Sequence, residues 1–118
     1  MRITQAFTFE AAHRLPNVPE THRCHRMHGH SYRVELTVEG PVDERTGWVI
    51  DFYDIESIFG PLLGRLDHHC LNEIEGLENP TAENIAAWIW DRLRPDLPAL
   101  ALVRVAETPM SWAEYDGR

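Results

Sequence analysis

The chain has 118 residues, of which 43% are hydrophobic and 25% charged, as is typical of one soluble globular domain over residues 1–118. Its formal net charge of −8 argues against general nucleic-acid binding, which requires a basic face. No apolar run approaches the roughly 18 residues of a transmembrane helix, no signal-peptide core is visible and two cysteines make no disulfide framework, so we expect a cytoplasmic protein without a membrane partner.

Two stretches with period-two alternation predict the first strands, over residues 2–14 and 28–39. The odd positions of the first stretch are apolar, and so are the even positions of the second. His13 extends the first apolar row, and His28 and His30 extend the second. Because successive side chains of a strand point to opposite faces, pairing the two strands as a hairpin would place all three imidazoles on one buried face.

Three imidazoles that converge from two paired strands are a ligand set typical of a transition metal, with zinc as the default. A single histidine on an apolar face is more often a hydrogen-bonded core residue, but three with matching parity favour a metal site. Three protein ligands would leave a position open for substrate, as in catalytic zinc sites. Cys24, in the loop between the strands, is either a fourth ligand or a base beside the metal. His22 and His25 are interpreted as ordinary loop residues.

Apolar residues with helical spacing predict helices over residues 52–66 and 80–94. Pro61 lies inside the first and favours a kink or a break there. Asn79 or Thr81 can cap the second. Its first amides and the Thr81 hydroxyl can also bind polar ligand atoms, although capping alone explains the residue.

Two further strands follow, with one apolar row over residues 101–105 and a short last strand over residues 111–116. Glu107 extends that apolar row, where a carboxylate needs a partner; an arginine and a bound ligand are both candidates. The order strand, strand, helix, helix, strand, strand predicts an α+β fold. We expect a four-stranded antiparallel sheet, with both helices inserted between its second and third strands and packed on one face.

Asp67 and His68 directly follow the first predicted helix. An aspartate beside a histidine can orient the imidazole for proton transfer. Histidines at the end of a helix are also favoured by the helix dipole alone, and the sequence pattern does not separate the two explanations. Cys70, a little further on, is interpreted as a small buried hydrophobic residue.

Taken together, several motifs resemble the 6-pyruvoyltetrahydropterin synthase superfamily, and within it the bacterial 6-carboxytetrahydropterin synthases of queuosine biosynthesis. The resemblance covers about residues 5 to 108 and rests on FTFEAAHRLP, CHRMHGH, GWVIDF, LDHHCLN, ENPTAENIAAWIW and the ET of VAETP. It implies the tunnelling fold, and a homo-oligomer (trimer or hexamer) with active sites at subunit interfaces.

The resemblance also implies roles for individual residues. The zinc ligands would be His13, His28 and His30. Cys24 would be the catalytic base, His68 a proton relay oriented by Asp67, and Glu107 the carboxylate that holds the pterin. Thr81 is a further candidate for substrate binding on the basis of its place at the start of the second helix alone. The implied substrate is 7,8-dihydroneopterin triphosphate, and the implied products are 6-carboxy-5,6,7,8-tetrahydropterin, acetaldehyde and triphosphate.

Three points stay open at the level of sequence. Arg14, Arg23 and Arg26 flank the metal loop and are candidates for contacting the triphosphate. The same site could instead form 6-pyruvoyltetrahydropterin, in which case no acetaldehyde is released. A metal-binding module without catalytic activity is the remaining alternative, in which Cys24, His68 and Glu107 would be dispensable.

Overall fold

A computed structural model describes all residues 1–118. Its main elements are, in chain order, β1 (Arg2–His13), β2 (His28–Glu39), α1 (Phe52–Leu66), β3 (His69–Cys70), α2 (Ala82–Leu93), β4 (Leu100–Thr108) and β5 (Ser111–Tyr115). Short 3₁₀ turns at Arg23–His25 and Leu71–Glu73 interrupt two of the connections.

The helices begin at side-chain caps. Asp51 accepts a hydrogen bond from the amide of Tyr53 at the start of α1, and Thr81 accepts one from the amide of Asn84 at the start of α2. Helix α1 has the predicted bounds and continues through Pro61, because its buried residues lie on both sides of the proline and pack into the core. Helix α2 begins two residues later than predicted, since Thr81 is its cap.

The sheet has the strand order β3-β1-β2-β4-β5. The predicted α+β architecture is confirmed, with both helices between β2 and β4, but there are five strands rather than four. The additional strand is β3, which pairs in parallel with Ala11 and Ala12. Every other neighbouring pair is antiparallel. Two residues are too few for a periodic signal, which is why the sequence pattern does not reveal β3.

One face of the sheet packs under the helices. Its fully buried members share a single core with the inward residues of α1 and α2; they include Tyr32, Val34, Leu36, Val103, Val105, Ile55, Phe59, Ile85 and Ile89. The opposite face is polar, as the alternation predicts, and carries Glu35 between Arg33 (3.5 Å) and Arg104 (3.4 Å). Neither helix is long and apolar enough to cross a membrane.

Candidate metal centre and active site

The β1–β2 register brings three imidazoles together at one end of the sheet. His13 lies directly opposite His28, and Ala11 lies opposite His30. The ring centroids of the three histidines are 4.6 to 5.0 Å apart, and one potential ligand nitrogen from each lies within 4.8 Å of the others. His13 is the most enclosed, with 1% of its surface exposed. These three residues therefore form a group that could hold a metal ion.

Backbone carbonyls determine which ring nitrogens of this group carry protons. The Nδ1 of His13 donates to the carbonyl of Pro80 (2.8 Å), and the Nδ1 of His28 donates to that of Arg26 (2.8 Å). A carbonyl only accepts, so both Nδ1 atoms are protonated and the two Nε2 atoms of the neutral rings carry lone pairs. Those Nε2 atoms are 3.1 Å apart. Two lone pairs that face each other repel, and a metal ion bound between them would relieve this repulsion.

The separation of these nitrogens suits zinc. With Zn–N distances of about 2.0–2.1 Å, two imidazole nitrogens of a tetrahedral site lie about 3.3 Å apart. Burial lowers the pKa of His13 and of His30 below its usual value, which favours the neutral form that binds a metal. The buried hydroxyl of Tyr32 lies 3.1 Å from the Nδ1 of His13, behind the ligand ring. Burial raises the pKa of Tyr32, so this hydroxyl stays neutral.

Glu107 lies beside the imidazole group. Its Oε2 is 3.8 Å from the Nε2 of His30, and the side chain is 28% exposed. The side chain beside this carboxylate is thus a histidine rather than an arginine, at a distance too long for a hydrogen bond. A register shift between Ala106 and Thr108 in the β4–β5 pairing marks the position of Glu107. Such bulges redirect a side chain from the regular alternation.

One cavity joins Glu107 to the loop between β1 and β2. It has a volume of about 550 Å³ and is lined by Arg23, Cys24, His28, His30, Glu107, Thr108 and Ser111. Cys24 is a free, half-buried thiol in the 3₁₀ turn, and the ring of His22 caps that turn by accepting the amide of Cys24 (3.0 Å). The structure therefore places the thiol, the carboxylate and two of the three imidazoles around one space. Arg14 and Arg26 do not line it.

A second cavity, of about 600 Å³, lies between the start of α2 and β5. Thr81 and Glu107 both line it, together with Trp112. The Thr81 oxygen accepts the Asn84 amide (3.1 Å), and its hydroxyl hydrogen remains free to donate. Glu107 therefore borders both the cavity that contains Thr81 and the cavity that contains His28 and His30.

His68, which Asp67 precedes, lies at a different cavity. His68 lines a cavity of about 460 Å³ with Glu10, Ser31 and His30, and Cys24 does not border it. The Nδ1 of His68 is 3.0 Å from the Asp67 carboxylate, which also accepts the amide of Glu10 (2.9 Å). The hydrogen bond from Glu10, reinforced by that from His68, lowers the pKa of Asp67. Within one chain Asp67 orients His68, but His68 and the Cys24 thiol line separate cavities.

Comparison with protein-family models decides the family. The model described as 6-pyruvoyl tetrahydropterin synthase matches residues 2–118. The chain belongs to this family. The family is one of lyases, so the predicted superfamily and the prediction of an enzyme are both confirmed.

Relatives of known name in this family match this chain over most of their lengths. A 6-carboxy-5,6,7,8-tetrahydropterin synthase from Synechocystis is 42% identical, over 96% of this chain and 91% of the relative. A 6-pyruvoyl tetrahydrobiopterin synthase from Drosophila melanogaster is 37% identical, over 98% of this chain and 79% of the relative. The solved structure of 6-pyruvoyl tetrahydropterin synthase from Caenorhabditis elegans superimposes with a TM-score of 0.92 at 25% identity and covers 100% of this chain and 96% of that one. The predicted tunnelling-type fold of the family is thereby confirmed.

Sequence reasoning missed several residues that support this family site. The carbonyl of Pro80 and the hydroxyl of Tyr32 both contact His13. Asn72 forms a hydrogen bond with Arg14, the residue after His13. Tyr32 is the one residue with a hydroxyl in the otherwise apolar row of β2, and this could have indicated a polar partner for a neighbouring histidine. No sequence pattern indicates that Pro80 offers its carbonyl to a histidine 67 positions away.

Proposed function

We propose that this chain is a zinc-dependent lyase of queuosine biosynthesis that acts in the cytoplasm. It converts 7,8-dihydroneopterin triphosphate and one molecule of water to 6-carboxy-5,6,7,8-tetrahydropterin, acetaldehyde and triphosphate. The observation that carries this proposal is the pair of imidazole Nε2 atoms of His13 and His28, 3.1 Å apart, because His28 also lines a cavity with a thiol and a carboxylate. The Synechocystis relative, at 42% identity, supports the carboxy branch over the pyruvoyl branch.

In this proposal each site residue has a role in substrate binding, proton transfer or metal binding that fits its chemistry. Glu107 accepts the N–H donors on the edge of the pterin ring, for which a carboxylate has two suitable oxygens, and the Thr81 hydroxyl donates to the same ring. Cys24 takes a proton from the substrate side chain, and His68, held by Asp67, delivers one. When bound by His13, His28 and His30, zinc supplies Lewis-acid stabilisation of charge on the substrate oxygens. Arg23, the only arginine of the three candidates to line the thiol cavity, contacts the triphosphate.

The complete site, in this proposal, forms between two copies of the chain. Cys24 and His68 border different cavities, and His30 lines both of these. Glu10 and Ser31 of the relay cavity alternate with Ala11 and His30 along the strands, so their side chains point to the opposite face of the sheet. Association of copies in a homo-oligomer, a trimer or a hexamer, would bring the relay of one copy to the thiol of another. The side chain of His68 is 79% exposed, which leaves it accessible to a neighbouring copy.

Product analysis tests the proposal. The purified, zinc-loaded chain is incubated with 7,8-dihydroneopterin triphosphate, and acetaldehyde and the pterin product are quantified. Equal amounts of acetaldehyde and 6-carboxytetrahydropterin are expected, and Cys24→Ala protein serves as the control for non-enzymatic breakdown. A 6-pyruvoyl product without acetaldehyde would identify the other branch, and an unchanged substrate with bound zinc would favour a metal-binding module.

A further inference from the structure

The side chain of Asn72 connects two segments that are distant in sequence. Its Oδ1 accepts the amide of Arg14 (2.9 Å), and its Nδ2 donates to the carbonyl of Arg14 (2.9 Å) and to that of Glu78 (3.3 Å). The amide thus uses one acceptor and both of its donors, a combination that no carboxylate or apolar side chain can reproduce. Asn72 and Arg14 are 58 positions apart.

Both segments carry a part of the metal centre. Arg14 directly follows the ligand His13, and Glu78 lies two residues before Pro80, whose carbonyl accepts the Nδ1–H of His13. The amide of Asn72 therefore fixes the end of β1 relative to the carbonyl that orients the His13 ring. Thr81, the cap of α2, comes next in the same segment.

The hydrogen bonds of Asn72 are the last of a row that joins residues 67–72 to β1 and the residue after it. The amide of His68 and the carboxylate of Asp67 bond to the backbone of Glu10, and β3 pairs with Ala11 and Ala12. The two hydrogen bonds from Asn72 to Arg14 continue this parallel pairing through a side chain. The segment that carries the relay residues is thereby held along the strand that carries His13.

We propose that Asn72 is a positioning residue of the metal centre, which holds His13 against the Pro80 carbonyl and so sets the orientation of this ligand. The inference rests on the proposed metal site. Partners that orient a ligand from behind typically change metal affinity by about 10–100-fold when they are removed. Asn72→Ala removes all three hydrogen bonds, whereas Asn72→Asp keeps the side-chain volume but turns an oxygen toward two carbonyl oxygens.

The test compares metal binding in folded proteins. Zinc affinity is measured by competition with a chelator, and Co²⁺ is substituted to record the visible absorption of its ligand field. Both Asn72 variants are expected to bind zinc about 10–100-fold more weakly and to show a shifted Co²⁺ spectrum. Wild-type affinity and an unchanged spectrum in both variants would overturn the inference.

Two controls separate positioning from loss of stability or charge effects. Val38→Ala weakens the core at the far end of β2, opposite Leu100, and is expected to lower the melting temperature without changing zinc affinity or the Co²⁺ spectrum. Asn17→Asp makes the same charge change on an exposed loop residue. If Val38→Ala weakened zinc binding as much as Asn72→Ala does, the positioning role would be rejected. A wild-type protein that bound no metal would instead reject the proposed function.

Discussion

His13 and His28 face each other across the β1–β2 ladder, with their Nε2 atoms 3.1 Å apart and their Nδ1 atoms bonded to backbone carbonyls. The carbonyls hold the protons on the outer nitrogens, so the inner nitrogens present lone pairs to a common point. His30 adds a third imidazole from the same face. The three rings together form a group that could hold a metal ion.

Removing one imidazole should abolish stable metal binding. His28→Ala deletes one of the two facing nitrogens. Loss of a residue that only hydrogen-bonds to a metal ligand lowers metal affinity by roughly 10–100-fold, and we expect a larger fall in zinc affinity for His28→Ala. Zinc content after gel filtration, measured by atomic emission, checks the result. His25→Ala, in the nearby 3₁₀ turn, is the control and should retain wild-type zinc. Equal zinc in His28→Ala would show that the ligands are elsewhere.

The metal-free protein should lose stability on acidification through the range set by its buried histidines. Burial lowers the pKa of His13 and His30 from about 6.5, so below that pH the unfolded chain binds protons that the folded chain does not. The free energy of unfolding therefore decreases as the pH falls from about 7.5 to 5.5. Urea titrations in the presence of a chelator measure it. His30→Gln should show a shallower decrease, and an equal slope in both proteins would contradict this source of the pH dependence.

Glu107 should govern pterin affinity rather than metal retention. Glu107→Gln replaces one carboxylate oxygen by an N–H₂ donor that faces the donors of the ring. We expect the variant to keep its zinc and to bind a pterin at least about tenfold more weakly, since a lost charged hydrogen bond costs about 1.5–3 kcal/mol. Fluorescence titration with a pterin, together with zinc analysis of the same preparation, checks both. Zinc loss with unchanged pterin binding would instead identify Glu107 as a metal ligand. The Oε2 of Glu107 lies only 3.8 Å from the Nε2 of His30, so this outcome has to be tested.

Cys24 should act as a base beside the metal and not as a fourth ligand. Cys24→Ala is expected to retain zinc and bind substrate, while turnover drops by roughly 10²–10⁴-fold, as for a lost general base. Cys70→Ala is the matched control, because Cys70 is the other half-buried free thiol but lines none of the cavities. A zinc-free Cys24→Ala protein would identify the thiol as a ligand, and near-normal turnover would remove it from the mechanism.

The features of the fold and of the site that the sequence predicts are those with a regular periodicity. Alternation along β1 and β2 predicts three histidines on one face, because side-chain direction in a strand repeats every two residues. Helix α1 has the bounds that its apolar spacing predicts, although Pro61 favoured a kink or a break that the continuous helix does not show. The predicted roles of Cys24, His68 and Glu107 came from family resemblance rather than from periodicity.

The parts that could not be predicted involve short or irregular contacts. β3 has two residues and pairs with a strand far away in the chain. The side chain of Asn72 and the carbonyl of Pro80 meet residues 58 and 67 positions away, through geometry that only the folded chain creates. Glu107 follows the apolar row in the sequence, yet it lies at a register shift of the β4–β5 pairing. Such contacts depend on tertiary placement, which local patterns do not encode.

Mixing two inactive variants should restore activity if the site is shared between copies. Cys24→Ala and His68→Ala each remove one proton-transfer group, and these groups line separate cavities within a chain. In oligomers formed from equal amounts of both, about a quarter of the sites would combine an intact thiol from one copy with an intact relay from another. The variants are co-expressed with different tags, purified through both tags, and assayed for acetaldehyde release.

The matched control for this experiment pairs Cys24→Ala with Glu107→Gln. Cys24 and Glu107 line the same cavity of one chain, so every site takes both residues from the same copy and mixing cannot produce an intact pair. We therefore expect activity to return with the His68 variant and not with the Glu107 variant. Failure of the first mixture in a confirmed mixed oligomer would mean that His68 and Cys24 act within one chain, or that His68 is no part of the reaction. Recovery in both mixtures would show instead that Glu107 and Cys24 serve different sites.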